Sequence, residues 1–333
     1  MNIFIISGAN GFLGNNIIRA LQNKENTQIR AIVVKNHNTK PLEGLKADIY
    51  YALVENYESL NDAFKVKESD NVFVIHCAAK VYIDDKKLDS LMDVNVNGTK
   101  NMLEHTKKVN GRFIFVSSSS VFYHKRKNEI INENSLIDLS KTKSPYEKSK
   151  IIAGQLVDSY YKDGLDAVTV YPSSIFGPYD YKNMFVETMI NEIIKGNLNA
   201  SITGSYDFVD VRDVSDAIIK LCDKGEKGEK YIISNKEIRV SLLMNNVCEL
   251  LNKKKIKFIC NNSVASIFLP FYKVFSKNKT LSSLFNKESL KVLKYGANLD
   301  NSKLKSTIDF VPHDLNQSLR ETIDFLKKYN NLW

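Results

Sequence analysis

Short apolar runs alternate with longer stretches of helical periodicity along the first half of the chain. Runs rich in β-branched and aromatic residues predict strands over 2–7, 28–34, 71–76, 112–117 and 167–171. Apolar positions at helical spacing predict helices over 15–22, 60–65, 88–110 and 145–162. Strands that are apolar on both faces and are separated by crossover helices are typical of a parallel sheet. The pattern therefore predicts an α/β fold with a doubly wound parallel sheet.

The regular alternation ends after residue 172. Further along, the pattern predicts helices over 184–195 and 213–224 and strands over 207–211 and 228–234. Residues 236–310 mix helical segments with one apolar stretch, 264–275. We expect a first domain over 1–172, to which 208–235 return. A smaller, interleaved C-terminal lobe is expected from 173–207 and 236–333.

Composition narrows the class of protein. The 333 residues are 43% hydrophobic and 26% charged, which excludes disordered and coiled-coil chains. The net charge of +9 comes from lysines that are scattered among acids, so a solvated surface is favoured over a nucleic-acid partner. No apolar run is long enough for a transmembrane segment, and MNIFIISGANGFLG lacks the basic start of a signal peptide. These features predict a cytoplasmic protein.

The four cysteines form no CxxC pair and have no metal-ligand spacing with the five histidines. They are expected to be buried thiols in a reducing compartment, and no metal site is predicted.

A glycine-rich turn follows the first predicted strand and opens the first helix. Gly8, Gly11 and Gly14 are spaced GxxGxxG, within the segment Gly8-Ala9-Asn10-Gly11-Phe12-Leu13-Gly14. Such glycines allow a tight turn, a close approach of the backbone to a pyrophosphate, and close packing of helix on strand. The N–H groups at the helix N-terminus attract the phosphates. The context predicts a dinucleotide site rather than an ordinary turn.

The end of the second predicted strand bears on the choice of cofactor. An acidic residue there would bind the ribose hydroxyls of NAD and repel the 2′-phosphate of NADP. The sequence has no carboxylate here and carries Lys35, which could pair with the 2′-phosphate, aided by Lys40. NADP(H) is therefore favoured over NAD(H), with the alternative that Lys35 is one of many surface lysines.

A tyrosine and a lysine lie four residues apart on one face of a predicted helix, at Tyr146 and Lys150. An ordinary tyrosine pKa near 10 is too high for proton transfer at neutral pH, but a neighbouring ammonium or an oxidised nicotinamide ring would lower it. Ser118 lies in a serine run at the carboxyl end of the fourth strand, where open α/β sheets bind ligands. Its hydroxyl could hydrogen-bond a substrate oxygen.

These motifs, in this order, resemble the extended short-chain dehydrogenases/reductases. This group includes sugar-nucleotide epimerases, dihydroflavonol reductases and 3β-hydroxysteroid dehydrogenases. The resemblance continues through His76-Cys77-Ala78-Ala79, Asn95-Val96-Asn97-Gly98-Thr99, Pro172-Ser173-Ser174-Ile175-Phe176-Gly177-Pro178 and Phe208-Val209-Asp210-Val211-Arg212-Asp213-Val214. It implies a Rossmann-type NAD(P)-binding domain and a C-terminal substrate-binding lobe.

The resemblance also implies roles for individual residues. Tyr146 would be the general acid/base, Lys150 would lower its pKa and hold the nicotinamide ribose, and Ser118 would orient the reacting oxygen. Asn95 would brace the sheet near the active site, although turn geometry explains it equally well. Other cofactor contacts are implied for Asn10, Phe12, Leu13, Leu53, Cys77, Ala78, Ala79, Val81, Pro172, Ser173 and Ile175.

Departures from the family pattern narrow the subclass. Dehydratases of the group place Asp-Glu after the catalytic hydroxyl, where this chain has Ser119 and Ser120. Nucleotide-sugar epimerases usually carry Asn and Arg where this chain has Ser174 and Tyr206. The adenine site has Tyr51-Ala52-Leu53 in place of the usual Gly-Asp. The pattern is therefore closer to the dihydroflavonol-reductase and hydroxysteroid branch, with Ser119, Ser120 and Tyr206 as weak candidates for substrate contact.

Three functions remain open at this stage. The favoured one is a reductase that interconverts a small ketone or aldehyde and an alcohol; the others are a sugar epimerase and a non-catalytic NADP-binding regulator. The 264–275 stretch could wall an apolar substrate pocket, belong to the lobe core, or touch a membrane surface. A homodimer through helices 88–110 and 145–162 is also expected.

Overall fold

The computed structural model describes residues 1–81, 88–261, 293, 295, 296 and 298–330. A parallel seven-stranded sheet with the order β11-β7-β5-β4-β1-β2-β3 forms its centre. The strands in chain order are β1 Asn2–Ser7, β2 Thr27–Val33, β3 Asp48–Tyr51, β4 Asn71–His76, β5 Arg112–Val116, β6 Ile130–Ile131, β7 Asp166–Pro172, β8 Ser174–Phe176, β9 Ala200–Ile202, β10 Ser205–Asp210, β11 Lys230–Ile233, β12 Lys236–Arg239, β13 Phe258–Cys260 and β14 Asn298–Leu299. The prediction of a doubly wound parallel sheet is confirmed.

Helices cover both faces of this sheet. The described helices of the whole chain, in order, are α1 Phe12–Leu21, α2 Leu88–Met92, α3 Gly98–Lys108, α4 Pro145–Lys162, α5 Phe185–Ile194, α6 Val211–Lys224, α7 Val240–Leu250, α8 Ser302–Thr307 and α9 Leu315–Asn330. Helices α1 and α6 pack on one face, and α3 and α4 pack on the other. The strand order changes direction between β1 and β4, so their carboxyl ends border a crevice.

The predicted helix 88–110 is wrong as one continuous helix. A π-helical turn, Asp93–Asn97, separates α2 from α3. It turns the Asn95 side chain inward to donate hydrogen bonds to Lys80 O and Ser149 Oγ, at 3.0 and 2.9 Å. Because π-turns place a side chain outside regular α-helical register, they often occur at functional sites.

Two other expectations need adjustment. The segment predicted as a helix over 60–65 forms 3₁₀ turns, Glu58–Phe64, because the stretch is too short for a stable α-helix. Strand β3 was not predicted, because at the sheet edge its side chains are largely exposed and leave no apolar pattern.

A small lobe has its own sheet and core. Strand β10 lies between β8, which is parallel to it, and β12, which is antiparallel. Helices α5, α7 and α9 pack around the apolar side chains of this sheet, including Phe176 and Phe208. We call these six elements the small lobe. The apolar stretch 264–275 lies outside the described residues.

No helix within the described ranges is both long and apolar enough to cross a membrane. All four cysteines are free thiols.

Candidate active site

The glycine turn joins β1 to α1 in a conformation that side chains would block. Gly8 has φ +65°, and a Cβ there would lie 2.8 Å from Ala78 N. A Cβ on Gly14 would lie 2.8 Å from Ala9 Cα. The N-cap residue Gly11 provides no side-chain hydrogen bond, so the first N–H groups of α1 stay available to a ligand. The turn therefore has the shape and the donors that a pyrophosphate requires.

A cavity of about 260 Å³ opens above this turn. It brings together seven of the predicted cofactor residues: Gly8, Asn10, Gly11, Leu53, Cys77, Ala78 and Ala79. Phe12, Leu13 and Gly14 form the first turn of α1, directly after it. We call this space the cofactor cavity. Its position at the carboxyl ends of β1 and β4 fits a dinucleotide, because open α/β sheets bind such ligands there.

The far end of the cofactor cavity differs from the prediction. Lys35 is exposed and is not among the residues that line the cavity, whereas His37 is. The Asn10 amide donates to Asn38 O at 2.8 Å and joins the glycine turn to this segment. Lys182, in the loop between β8 and α5 of the small lobe, also lines the cavity. No local motif pointed to His37 or Lys182.

A buried polar chain connects the cofactor cavity to the predicted catalytic helix. The two ring nitrogens of His76 contact Ser7 Oγ at 2.6 Å and Thr99 Oγ1 at 3.1 Å. Thr99 Oγ1 donates to Asn95 O at 2.7 Å, and the Asn95 amide reaches Ser149 on α4. Burial lowers the pKa of His76 to about 3, so the ring is neutral and acts as a structural link.

Helix α4 carries Tyr146 and Lys150 in its first turns. Ser144 caps it by accepting a hydrogen bond from Glu147 N at 3.5 Å, and Pro145 occupies the first helical position. The Lys150 ammonium is buried and donates to Val116 O, at the end of β5, at 2.7 Å. Ser118 follows the same strand and hydrogen-bonds Tyr146. The fold therefore brings all three predicted catalytic residues together.

Burial dominates the electrostatics of this group. It raises the pKa of Tyr146 to about 12, against the smaller lowering effect of the Ser118 hydrogen bond. It also lowers the pKa of Lys150 to about 8, which still leaves the ammonium largely charged at neutral pH. Burial also raises the pKa of the Cys77 thiol to about 12, and the positive charge of Lys150 acts in the opposite direction. In the chain alone, Tyr146 is therefore a neutral phenol that can donate a proton.

A second cavity, of about 220 Å³, opens beside Ser118. It contains Ser118 and the predicted substrate residues Ser119, Ser120 and Tyr206, together with Ser173. Its remaining walls include Tyr123, His124, Glu147, Ser174, Asp207 and Tyr295. Tyr146 does not line it directly and is joined to it through Ser118. We call this space the substrate-side cavity.

Asp207 is a member of this cavity that sequence reasoning missed. It is only 4% exposed, and its carboxylate accepts a hydrogen bond from Asn235 N at 3.1 Å. Burial raises its pKa to about 7, while the nearby Ser173 hydroxyl acts in the opposite direction. Asp207 occurs inside the buried strand β10, between Tyr206 and Phe208, so its place in the chain gave no signal for a cavity residue.

The other predicted cofactor residues lie around the two cavities. Pro172 ends β7 and is buried, and Ile175 is half-buried in β8 against the core beneath the sheet. Val81 is exposed. Asn95 lies in the polar chain rather than in a cavity wall. Both oxygen and nitrogen of the Leu53 backbone are hydrogen-bonded to Ser59 Oγ, at 2.9 and 3.1 Å.

A glycine turn at the switch point of a doubly wound sheet defines a dinucleotide-binding α/β protein. The model of the NAD dependent epimerase/dehydratase family matches residues 4–234. The chain belongs to this family, which confirms its resemblance to the extended short-chain dehydrogenases/reductases.

Two relatives match nearly the whole chain. "Sterol demethylase protein B" of Methylococcus capsulatus is 25% identical over 97% of this chain and 98% of its own. A putative dihydroflavonol 4-reductase of Synechocystis is 23% identical over 98% of this chain and 95% of its own. The structure of dTDP-glucose 4,6-dehydratase from Bacillus anthracis in complex with NAD superposes with a TM-score of 0.78. It is 22% identical and covers 100% of this chain and 98% of that one. These likenesses support a common fold over the full length.

Proposed function

We propose that the protein is an NADP(H)-dependent oxidoreductase that interconverts a ketone or aldehyde and an alcohol. The observation that carries this proposal is the hydrogen-bonded pair of Ser118 and Tyr146, of which Ser118 lines the substrate-side cavity. Lys150 is buried on the same helix. Positioned proton donors beside a hydride-transfer site are what carbonyl reduction requires.

The residues of the glycine turn fit such a cofactor. Neighbouring backbone fills the space that a Cβ would need at Gly8 and Gly14, so only glycine allows this turn. When bound, the nicotinamide would supply or accept the hydride. The Ser118 hydroxyl donates a hydrogen bond to the substrate oxygen. The Tyr146 hydroxyl gives that oxygen its proton in reduction and takes it back in oxidation.

The protonation state of Tyr146 favours one direction of the reaction. A phenol with a pKa near 12 is fully protonated at neutral pH, so Tyr146 is in the protonation state that reduction requires and not in the phenolate state that oxidation requires. The alcohol-oxidising direction needs additional positive charge to lower this pKa, such as an oxidised nicotinamide ring would bring. We therefore expect reduction to be the easier direction near neutral pH.

The substrate-side cavity favours an uncharged substrate. Its described lining contains hydroxyl groups, two carboxyl residues (Glu147 and Asp207) and aromatic rings, and no lysine or arginine among them. Ser119 and Ser120 stand where dehydratases of the group carry Asp-Glu, which argues against elimination of water. Aromatic and aliphatic walls such as Phe122 and Leu299 leave an apolar carbonyl compound as one option.

The preference for NADP rests on the absence of a carboxylate after β2 and on the basic residues Lys35 and His37. An intracellular, cytoplasmic location and a homodimer built through α2–α3 and α4 belong to the same proposal. Light scattering on the purified protein tests the dimer: a monomeric mass at micromolar concentration would contradict it.

Replacement of Tyr146 by Phe tests the mechanism. Turnover of any accepted carbonyl with NADPH should fall at least about 100-fold, because the proton donor is gone. NADPH affinity, measured by fluorescence titration, should change less than about twofold, within the effect of a peripheral contact. Tyr161→Phe is a matched control, because Tyr161 lies on the same helix and is exposed. Full activity of the Tyr146→Phe variant would refute the proposed role.

A sugar or nucleotide-sugar epimerase is the second candidate, since the matching family model bears that name. An epimerase returns the hydride to its substrate and keeps its cofactor. Nucleotide that copurifies with the protein and does not exchange during turnover would favour it. NADPH binding without turnover of any carbonyl or sugar would favour the non-catalytic regulator.

A further inference from the structure

The loop between β8 and α5 fastens the small lobe to the start of α1. We call residues 177–184 the 177–184 loop. The Asn15 amide donates to Tyr179 O at 3.2 Å, and the Asn16 amide donates to Pro178 O at 3.4 Å. The Arg19 guanidinium lies 3.9 Å from the centre of the Tyr179 ring. Three side chains of α1 thus attach the loop to the helix that begins at the glycine turn.

The loop also has a fixed internal geometry. Asp180 is fully buried, and its carboxylate accepts hydrogen bonds from Lys182 N, at 2.9 Å, and from Met184 N. Glu187 of α5 is buried beside it and accepts from Gly177 N at 3.3 Å. The backbone on either side of Lys182 is therefore held by a buried carboxylate rather than left to solvent.

This geometry brings the side chain of Lys182 to the cofactor cavity. Lys182 lines that cavity together with Gly8, Asn10 and Gly11. Lys182 is exposed, and within the described ranges its ammonium forms no salt bridge. Its positive charge acts on the Asp180 carboxylate only at longer range. Lys80 in the same wall differs, because its ammonium donates to Ser90 Oγ at 2.5 Å.

We infer that Lys182 binds a phosphate of the dinucleotide, so that the small lobe contributes a cation to the cofactor site. The inference rests on the proposed function only in requiring a dinucleotide in this cavity. The glycine turn and the N-terminus of α1 supply neutral N–H donors. An ammonium in the lining of the same cavity would add a charge-assisted hydrogen bond. A bound cofactor would then link the two lobes.

Direct binding measurements on the full chain test this inference. Titration with NADPH and with NADH, followed by fluorescence, should show affinity reduced about 5- to 20-fold in Lys182→Ala, the range of one charge-assisted contact. Lys182→Glu should reduce the nucleotide affinity further, and Lys182→Arg should retain most of it. Lys254→Ala is the control, because Lys254 is an exposed lysine between α7 and β13 of the same half of the chain.

The two nucleotides identify the phosphate. Equal losses for NADPH and NADH would assign Lys182 to the pyrophosphate, and a loss for NADPH alone would assign it to the 2′-phosphate; both outcomes support the inference. Unchanged affinities in Lys182→Ala, with tight binding by the wild type, would overturn the inference and leave the proposed function intact. A wild-type protein that binds neither nucleotide would overturn the proposed function and the inference with it.

Discussion

The cofactor cavity and the substrate-side cavity are built in different ways. The cofactor cavity lies at the ends of neighbouring parallel strands, where Gly8 is so close to Ala78 that a Cβ on Gly8 would lie 2.8 Å from Ala78 N. The substrate-side cavity is formed by side chains from segments far apart in the chain, such as Tyr123 and Asp207. The shape of the cofactor cavity depends on the absence of side chains at its glycines. The chemistry of the substrate-side cavity depends on which side chains the fold brings together.

This difference determines how each cavity should respond to mutation. A backbone-built site tolerates no added atoms, whereas a side-chain-built site changes its chemistry residue by residue.

Gly8→Ala should have the largest effect. Its φ of +65° is unfavourable for alanine, and the new Cβ would lie 2.8 Å from Ala78 N. We expect the free energy of unfolding to fall by about 1–3 kcal/mol. NADPH affinity should fall at least about 30-fold, since the turn must shift.

Thermal unfolding and fluorescence titration measure both effects. Gly154→Ala is the matched control: Gly154 lies within α4, and its nearest neighbour to a Cβ would be Phe115 Cε1 at 4.0 Å. That variant should be neutral or slightly more stable. Wild-type NADPH affinity in Gly8→Ala would show that the turn does not hold the cofactor.

Asp207→Asn should have an intermediate effect that depends on pH. The pKa of Asp207 is raised to about 7 in the folded protein, so the folded state binds a proton that the unfolded state has released above about pH 4. Because of the Asp207 carboxyl group, the free energy of unfolding of the wild type therefore falls as pH rises from about 4 to 7. Asparagine cannot titrate and removes that loss.

Urea denaturation at pH 5 and pH 8 checks this expectation. The stability of Asp207→Asn relative to wild type should be higher at pH 8 than at pH 5. Asp309→Asn, at an aspartate outside both cavities, provides a control for the general effect of charge. A constant difference between the Asp207→Asn variant and wild type would contradict the raised pKa.

Lys35→Ala should have the smallest effect. Because Lys35 is exposed, its contribution to a 2′-phosphate is screened by solvent. NADPH affinity should fall about two- to fivefold, and NADH affinity should stay unchanged. Comparable wild-type affinities for the two nucleotides would remove the role proposed for this lysine.

Much of the fold could be predicted because buried strands have a strong local pattern. Segment 71–76 is apolar on both faces and forms β4 with the predicted bounds, and 145–162 matches α4. Strand β3 was missed because an exposed edge strand needs no apolar alternation. The π-turn at Asp93–Asn97 was missed because Asn95 is turned inward by partners outside the helix, Lys80 and Ser149.

The sequence by itself determined the glycine turn and the residues Ser118, Tyr146 and Lys150, because their chemistry depends on local spacing and on the ends of adjacent strands. Only the tertiary structure brought Asp207 to the substrate-side cavity and Lys182 to the cofactor cavity. Both residues come from beyond the regular strand–helix alternation, and their positions depend on how the small lobe packs against α1. That packing is long-range, so no local pattern of residues encodes it.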